Sequence, residues 1–340
     1  MSTTLPHPSQ AAINGEPIPT LDDIAAEHFA LTPWISRTPV FERADLPSLD
    51  GTHVNLKFEL LQPCGSFKLR SAFANLAALG EAQRRTGVTC VSSGNHATAL
   101  AYAAKRLGIS AKVVVLDGAC GAHLALCRQY GAEIVMAHDP AHAFDLARRI
   151  EAEEGRQLVE ADNGYRTILG TATLGYEWVT QAPDLDAVIV PVGGGGLAAG
   201  VSTAMRLANP RVRVYGVEPE GADAMRRSFA ANRPVEPRAP HSIAGALAAT
   251  HIDDYSYTLC RRHLERLVTV DDDALRHAML ALFTHLKVAV EPACAAPFAA
   301  LLGPLRETLQ GRRVGVLLAG SNLDPAAFAA HLADVRRPAH

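Results

Sequence analysis

The stretch TCVSSGNHATALAYAAKRLGISAKVVVL, residues 89–116, passes from an apolar run through an alanine-rich run to a second apolar run. Residues 89–92 and 112–116 have the length and β-branched content of buried strands. The segment 95–107 predicts a helix, and Gly108 after it is typical of a helix end. A strand, a helix and another strand in this order predict a parallel βαβ unit.

The same alternation of strands and helices continues on both sides of this unit. Further strands are predicted at residues 54–60, 133–136, 157–161, 187–192, 213–217 and 314–318. Helices are predicted at residues 21–29, 67–79, 121–130, 140–154, 166–180, 197–207, 272–286 and 293–309. We therefore expect an α/β fold of two open, twisted parallel-sheet domains. The large domain would comprise residues 1–74 and 161–340, and the small domain residues 75–160.

The composition is that of a globular protein: of 340 residues, 48% are hydrophobic and 20% are charged, with a formal net charge of -3. Lys and Arg form no basic stripe, so we expect no nucleic-acid partner. No apolar run approaches ~20 residues and no signal peptide is evident, so we expect no membrane partner and a cytoplasmic protein. The six cysteines show no CxxC spacing, which predicts free thiols.

Lys68 falls in the first turn of the helix predicted at residues 67–79, and Ser66 is the expected N-cap. The positive end of a helix dipole disfavours a cation at this place, which favours the neutral, nucleophilic amine. Lys68 is therefore a candidate for covalent catalysis. The alternative is a surface lysine at a frayed helix end.

The run PVGGGGL, residues 191–197, joins a strand to a helix. Consecutive glycine N–H groups at a helix start predict a phosphate site, and no lysine follows to make it a P-loop. A dinucleotide site is the alternative, because Gly194, Gly196 and Ala199 satisfy GxGxxA and Glu218 follows about twenty residues later. A tight turn without a ligand also remains open.

The run SSGNH, residues 92–96, lies at a second junction between a strand and a helix. Its hydroxyl and backbone N–H groups suit a carboxylate, and Asn95 offers a donor and an acceptor to a ring substituent. Helix capping by Ser93 is the alternative.

In chain order, the segments SFKLR at 66–70, SSGNH at 92–96 and GGGG at 193–196 resemble the motifs of the serine/threonine dehydratase and serine racemase family, of the tryptophan synthase β fold type. The resemblance runs from about residue 38 to residue 324. It implies pyridoxal 5′-phosphate in the cleft between the two domains, bound covalently through Lys68. It also implies a homodimer and an amino-acid substrate.

The resemblance assigns the remaining contacts of the cofactor and the substrate. The cofactor contacts would be Phe67 at the ring, Asn95 at the 3′-oxygen, and Gly193, Gly194, Gly195 and Gly196 at the phosphate. The substrate carboxylate would lie at Ser92, Ser93, Gly94 and His96. Ser93 would be the acid or base on the face opposite Lys68 in a racemase.

Two sites depart from the family pattern. Ala319 stands where relatives place a Ser or Cys at the pyridine nitrogen, and Ser321 is the candidate substitute. Glu218 and Ala222 match a divalent-cation site, but Ala224 replaces its aspartate, which argues against the cation.

We expect a pyridoxal-phosphate-dependent lyase that converts a 3-hydroxy amino acid to a 2-oxo acid and ammonia. Gly245, Thr171 and Thr98 differ from common family residues, so serine, threonine and 3-phenyl- or 3-carboxy-substituted serines all remain open. A serine racemase is the near alternative. A NAD-dependent oxidoreductase and a non-catalytic cofactor binder are the more distant ones.

Overall fold

The structure, a computed structural model, describes residues 12–46, 49 and 51–335. The strands in this part of the chain are β1 Ala12–Ile13, β2 Glu16–Pro17, β3 Val40–Arg43, β4 His53–Lys57, β5 Val88–Val91, β6 Ala111–Leu116, β7 Glu133–Ala137, β8 Gln157–Leu158, β9 Ala187–Pro191, β10 Arg213–Pro219, β11 Leu264–Val270 and β12 Arg313–Leu317.

The α-helices in the same residues are α1 Leu21–Leu31, α2 Lys68–Ala77, α3 Glu81–Thr86, α4 Asn95–Leu107, α5 Gly121–Gln129, α6 Pro140–Glu154, α7 Tyr165–Gln181, α8 Gly196–Ala208, α9 Ala224–Ala231, α10 Asp254–His263, α11 Asp272–Ala281, α12 Pro292–Leu302, α13 Arg306–Leu309 and α14 Pro325–Ala333. None of these helices is both long and apolar enough to cross a membrane.

Two sheets carry the fold, and the predicted α/β class is confirmed. The larger sheet has the order β11-β10-β9-β12-β4-β3, and the smaller has the order β7-β6-β5-β8. All neighbouring strands in them are parallel except β3, which pairs with β4 in the antiparallel sense. Residues 44–52 between β3 and β4 are too few for the parallel crossover of a dozen or more residues, so the edge strand must run the other way.

Some predicted elements differ from the observed ones. The helix predicted at 293–309 is divided into α12 and α13, and α-helix α11 gives way at Leu282 to a π-helical turn, Leu282–Leu286. The prediction missed β1, β2, α3, α9, α10, β11 and α14. The smaller sheet lies within residues 88–158, inside the predicted small domain, but the exact domain boundaries stay a prediction.

Strand β9 lies inside the larger sheet and every one of its residues is buried. Val188 and Val190 belong to the apolar cluster that contains Trp178 of α7, whereas Ile189 belongs to the cluster that contains Phe298 of α12. Alternate residues of the strand therefore pack against helices on opposite faces of the sheet. This double burial fixes the carboxyl end of β9, where the glycine run begins.

Four buried charges hold α2 in place beside the larger sheet. Arg70 of α2 donates to Glu59 through Nε and Nη2, at 2.9 and 2.8 Å, and its Nη2 also lies 3.0 Å from Glu177 Oε2. Lys57 Nζ of β4 lies 2.5 Å from Glu177 Oε1. All four side chains are at most 1% exposed. Because Arg70 is two residues from Lys68, this cluster also positions the turn that carries Lys68.

We expect Glu59→Gln to lower the free energy of unfolding by about 3 kcal/mol or more, since it leaves the Arg70 guanidinium buried with too little negative charge. Urea denaturation followed by circular dichroism measures the change. Asp45→Asn is the matched control, because Asp45 pairs with Arg43 at the surface. A Glu59→Gln midpoint no lower than that of the control would contradict the expectation.

Candidate active site

A cavity of about 570 Å³, called the cleft below, lies at the carboxyl ends of β5, β6 and β9. The structure brings to it most of the residues predicted for the site: Phe67, Lys68, Ser92, Ser93, Gly94, Asn95, His96, Gly193, Gly194 and Gly195. Gly196, Ser321, Glu218 and Ala222 are not among the residues that line it. A cleft of this volume is sufficient for a small cofactor with its substrate.

Lys68 begins α2 and its amine lies at the wall of the cleft. Its Nζ is 2.7 Å from the carbonyl oxygen of Ala161 and 2.7 Å from Asp162 Oδ1. The Phe67 ring centroid is 5.1 Å from the same nitrogen. The side chain is 11% exposed, so the amine is held by specific partners rather than by bulk water.

The prediction that Ser66 caps α2 is wrong. The cap residue is Phe67, and it makes no side-chain capping bond. The backbone of Ser66 pairs with Gly320, and the Phe67 N–H donates to the Ala319 carbonyl at 3.0 Å. This pairing with the segment after β12 keeps Ser66 outside the helix end.

The glycine run forms a helix N-terminus that lacks a side-chain cap in the described structure. Helix α8 begins at Gly196, and Gly195 before it has a φ of 99°, which favours glycine. The first N–H groups of a helix have no partner within it, and with the dipole they attract an anion. A Cβ atom on Gly196 would lie 2.7 Å from the Asp162 backbone, so close packing also requires the absence of a side chain.

The SSGNH run forms a second helix N-terminus of the same kind. Helix α4 begins at Asn95, and Gly94 precedes it without a side-chain capping bond. The alternative that Ser93 caps the helix is wrong, because its Oγ accepts the N–H of Leu116 at 2.9 Å. Ser92 Oγ accepts the N–H of Gly94 at 3.2 Å. The first N–H groups of α4 thus remain available to a carboxylate.

Both ends of the Asn95 amide are fixed by neighbours. Nδ2 donates to Glu291 Oε1 at 2.8 Å, and Oδ1 accepts from Asn322 Nδ2 at 2.8 Å. The amide nitrogen carries two protons, so one of them remains to donate to a ring oxygen. Burial raises the pKa of Glu291 to about 7, although the hydrogen bond from Asn95 opposes the rise.

His96 is buried and neutral at physiological pH. Burial and the nearby Lys68 charge lower its pKa to about 4. Its Nε2 lies 2.9 Å from the Val159 carbonyl oxygen, which requires the proton on Nε2, and Nδ1 has no partner among the described residues. The imidazole therefore has no proton to donate to a substrate carboxylate, and the backbone N–H of His96 is the group that can bind it.

Stability should therefore depend on His96 between pH 6.5 and about pH 4. The unfolded chain takes up a proton near pH 6.5 but the folded chain does so only near pH 4, so stability is lost as the pH falls through this window. We expect His96→Gln, which stays neutral, to show a smaller fall in thermal midpoint across it. An exposed histidine replaced in His53→Gln is the control, and equal slopes in the two variants would contradict the expectation.

The part of the cleft near Ala319 has no hydroxyl group in the described structure where the resemblance places the pyridine nitrogen. Ala319 and Asn322 line the cleft, but Ser321 between them does not. The Ser321 N–H donates to the Gly65 carbonyl at 3.0 Å. The predicted contact of Ser321 with the cofactor therefore gains no support and stays a prediction.

The carboxylate of Glu218 is occupied by hydrogen bonds within the protein. Its two carboxylate oxygens accept the N–H groups of Met225 and Arg226, each at 2.8 Å, at the start of α9. Burial raises the pKa of Glu218 to about 8. Glu218 therefore does not present its carboxylate to a ribose at the glycine run. No group of three or more His, Cys, Asp or Glu residues in the described part of the chain is arranged to hold a metal ion, so the cation at Glu218 and Ala222 gains no support.

The prediction did not include the three cleft side chains that bond to Lys68 or Asn95: Asp162, Glu291 and Asn322. Asp162 follows the strand predicted at 157–161, so its place at the carboxyl end of a strand was a usable signal. Glu291 and Asn322 belong to segments that approach Asn95 only through the folded chain.

Beyond the SSGNH run, the side of the cleft formed by the smaller sheet includes an apolar wall. It contains Leu116 at the end of β6, Cys120 before α5, and Pro140 and Phe144 of α6. His123 also lies there, with Nδ1 3.0 Å from Thr98 Oγ1, and burial lowers its pKa. This wall suits an uncharged group.

The arrangement fits pyridoxal phosphate. The start of α8 can hold the phosphate, Lys68 offers a primary amine for the aldehyde, and Phe67 lies at the amine as a surface for the ring. The free Nδ2 proton of Asn95 suits the 3′-oxygen. Ala319, which the resemblance places at the ring nitrogen, lines the cleft with a methyl group only.

The model of the family described as pyridoxal-phosphate dependent enzyme matches residues 31–320. The chain is 58% identical to the phenylserine dehydratase of Ralstonia pickettii over 93% of this chain and 97% of that protein. It is 35% identical to the beta-hydroxyaspartate dehydratase of Paracoccus denitrificans over 90% of this chain and 97% of that one. The structure of maize serine racemase superposes with a TM-score of 0.87 at 32% identity, covering 92% of this chain and 97% of the racemase.

Proposed function

Since this chain belongs to the family of pyridoxal-phosphate dependent enzymes, we propose that it is a lyase acting on a 3-hydroxy amino acid with an aryl substituent, such as 3-phenylserine. The products are the 2-oxo acid and ammonia. The name and 58% identity of the Ralstonia pickettii dehydratase support this substrate.

The observation that carries the proposal is the charge of the cleft wall. No arginine is among the described residues that line the cleft, and its lysine, Lys68, is paired with Asp162, whereas Glu291 and Asp324 add further carboxyl groups. The pKa values of the two histidines there, His96 and His123, are lowered, so they add no positive charge at neutral pH. A 3-carboxylate would find carboxylates rather than a guanidinium, but an aryl ring would find the apolar wall.

Different residues of the cleft would bind the phosphate, bind the substrate carboxylate and accept the substrate proton. Gly193 to Gly196 and the start of α8 would hold the phosphate, and the start of α4 would hold the substrate carboxylate. When bound, pyridoxal phosphate supplies a ring that withdraws electrons and makes the substrate α-proton acidic. Lys68 Nζ, displaced by the substrate amine, accepts that proton. The 3-hydroxyl would take a proton, which protonated Lys68 can return, and leave as water. The released enamine would then consume one water molecule and give the 2-oxo acid and ammonia.

We further propose the two-domain division at residues 1–74 with 161–340 and 75–160, and a cytoplasmic homodimer without a nucleic-acid partner. The placement of the smaller sheet within residues 88–158 supports the division. The family resemblance supports the dimer, and the absence of a basic stripe in the sequence supports the lack of a nucleic-acid partner.

The proposal is tested with L- and D-isomers of 3-phenylserine, serine, threonine and 3-hydroxyaspartate, measuring the 2-oxo acid and ammonia together. We expect kcat/KM for a 3-phenylserine isomer to exceed that for the others by about tenfold or more. Lys68→Ala should abolish turnover and the visible absorbance of the bound cofactor. Inversion of the α-carbon without loss of substrate, or cofactor binding without any 2-oxo acid, would contradict the proposal.

Phe144 should matter more for the aryl substrate than for a small one, because its ring belongs to the apolar wall of the cleft. We expect Phe144→Ala to lower kcat/KM for 3-phenylserine by about tenfold and to change kcat/KM for serine by less than about threefold. Phe283→Ala is the control, since Phe283 is 45% exposed and is not among the residues that line the cleft. Equal losses for the two substrates in Phe144→Ala would rule out this role.

A further inference from the structure

We propose that Asp162 is a positioning residue for Lys68. Its carboxylate accepts a hydrogen bond from the Lys68 nitrogen, as amine or as ammonium, whenever that nitrogen is not joined to the cofactor. This state occurs before the cofactor is attached and again during turnover, after the substrate amine has displaced Lys68. The inference rests on the family assignment and on no particular substrate.

The amine of Lys68 has a complete set of partners on this side of the cleft. Asp162 Oδ1 and the carbonyl oxygen of Ala161 each lie 2.7 Å from Nζ, and the Phe67 ring lies at 5.1 Å. An ammonium group has three protons to donate and is attracted by an aromatic face. The site therefore matches a protonated lysine and fixes the direction of its side chain.

Asp162 is in contact with both the glycine run and α10. The glycine run packs against it, since a Cβ atom on Gly194 would lie 2.9 Å from Asp162 Cβ and one on Gly196 would lie 2.7 Å from its backbone. Ser256 Oγ of α10 donates to the Asp162 carbonyl oxygen at 2.5 Å. A carboxylate fixed by backbone packing can define the position of a flexible lysine.

The charge of Asp162 is maintained by Lys68. Burial would raise the pKa of Asp162, but the charge and hydrogen bond of Lys68, together with weaker effects of His96 and His251, hold the pKa below its usual value. Glu160 and Asp253 line the adjoining small cavity with Asp162. Lys68 is the ion-pair partner of Asp162 and the principal cationic influence on it.

This ion pair has opposite effects on two steps. Attachment of the cofactor needs a neutral amine: Lys68 loses a proton, a C=N bond forms at the aldehyde carbon, and one water molecule leaves. The hydrogen bonds from Nζ to Asp162 and to the Ala161 carbonyl oxygen must break before the nitrogen reaches the aldehyde, so they slow attachment. During turnover the same carboxylate keeps the displaced nitrogen at a fixed place beside the cleft, which favours proton transfer.

The test compares Asp162→Asn with Asp162→Glu, using the cofactor-free protein and following visible absorbance after pyridoxal phosphate is added. We expect Asp162→Asn to attach the cofactor about threefold or more faster near neutral pH, because Nζ loses its ion-pair partner. Asp162→Glu keeps the charge and should retain the wild-type attachment rate. Asp145→Asn, an exposed aspartate of α6, is the matched control.

A second measurement compares the changes in kcat and KM in the enzyme with its cofactor bound. We expect Asp162→Asn to lower kcat about tenfold while KM changes by less than about threefold. A folded Asp162→Asn protein whose attachment rate equals that of the wild type would overturn the proposal. Since attachment needs no substrate, this result is separate from any failure of the proposed aryl specificity.

Lys68→Ala supplies the test if Asp162→Asn does not fold. Without the ammonium group, the Asp162 carboxylate loses the ion pair that stabilises the folded state at neutral pH. In the wild type the carboxylate stabilises the folded state above pH 3.8 and loses this effect as the pH falls. The difference in thermal midpoint between wild type and variant should therefore increase from acidic to neutral pH. A difference that is constant with pH would overturn the proposal.

Discussion

The buried cluster of Lys57, Glu59, Arg70 and Glu177 is the constraint on which the rest of the site depends. Two positive and two negative charges lie away from water, and the loss of one leaves another unpaired at a cost of several kcal/mol. The cluster joins β4, the turn that follows it, α2 and α7. Any other placement of α2 would separate these charges, so the position of the first turn of α2 is fixed more strongly than apolar packing alone would fix it.

The geometry of a parallel sheet explains why helix N-termini meet at the cleft. Parallel strands end at one edge, and each helix that follows points its N-terminus at that edge. Helices α4 and α8 lack side-chain caps at their first turns in the described structure, so each offers N–H groups to an anion. A cofactor with a phosphate and a substrate with a carboxylate are the two anions that the cleft must separate, and the amine of Lys68 lies beside the glycine run of α8.

The alternation of strands and helices, the two glycine-bearing turns and Lys68 could be predicted from sequence because each is a local pattern. Helix α6 was predicted with its observed bounds. Strand β11 was missed because Glu265 and Arg266 interrupt its apolar run, as is common in edge strands. The prediction that Ser66 caps α2 was wrong because backbone pairing with Gly320 overrides the local preference of serine for the N-cap position. Asp162 was missed because only the folded chain shows that a carboxylate lies against the amine.

The hydrogen bonds of Asn95 have a consequence for motion. Asn95 belongs to a helix that packs with the smaller sheet, whereas Glu291 and Asn322 come from segments next to the larger one. A rigid-body rotation that widened the cleft would break both bonds and free the amide to turn. If Asn95 binds the cofactor ring oxygen, as the resemblance implies, one side chain couples this contact to the width of the cleft. A change that admits the substrate would then also change the hydrogen bond that the ring oxygen receives.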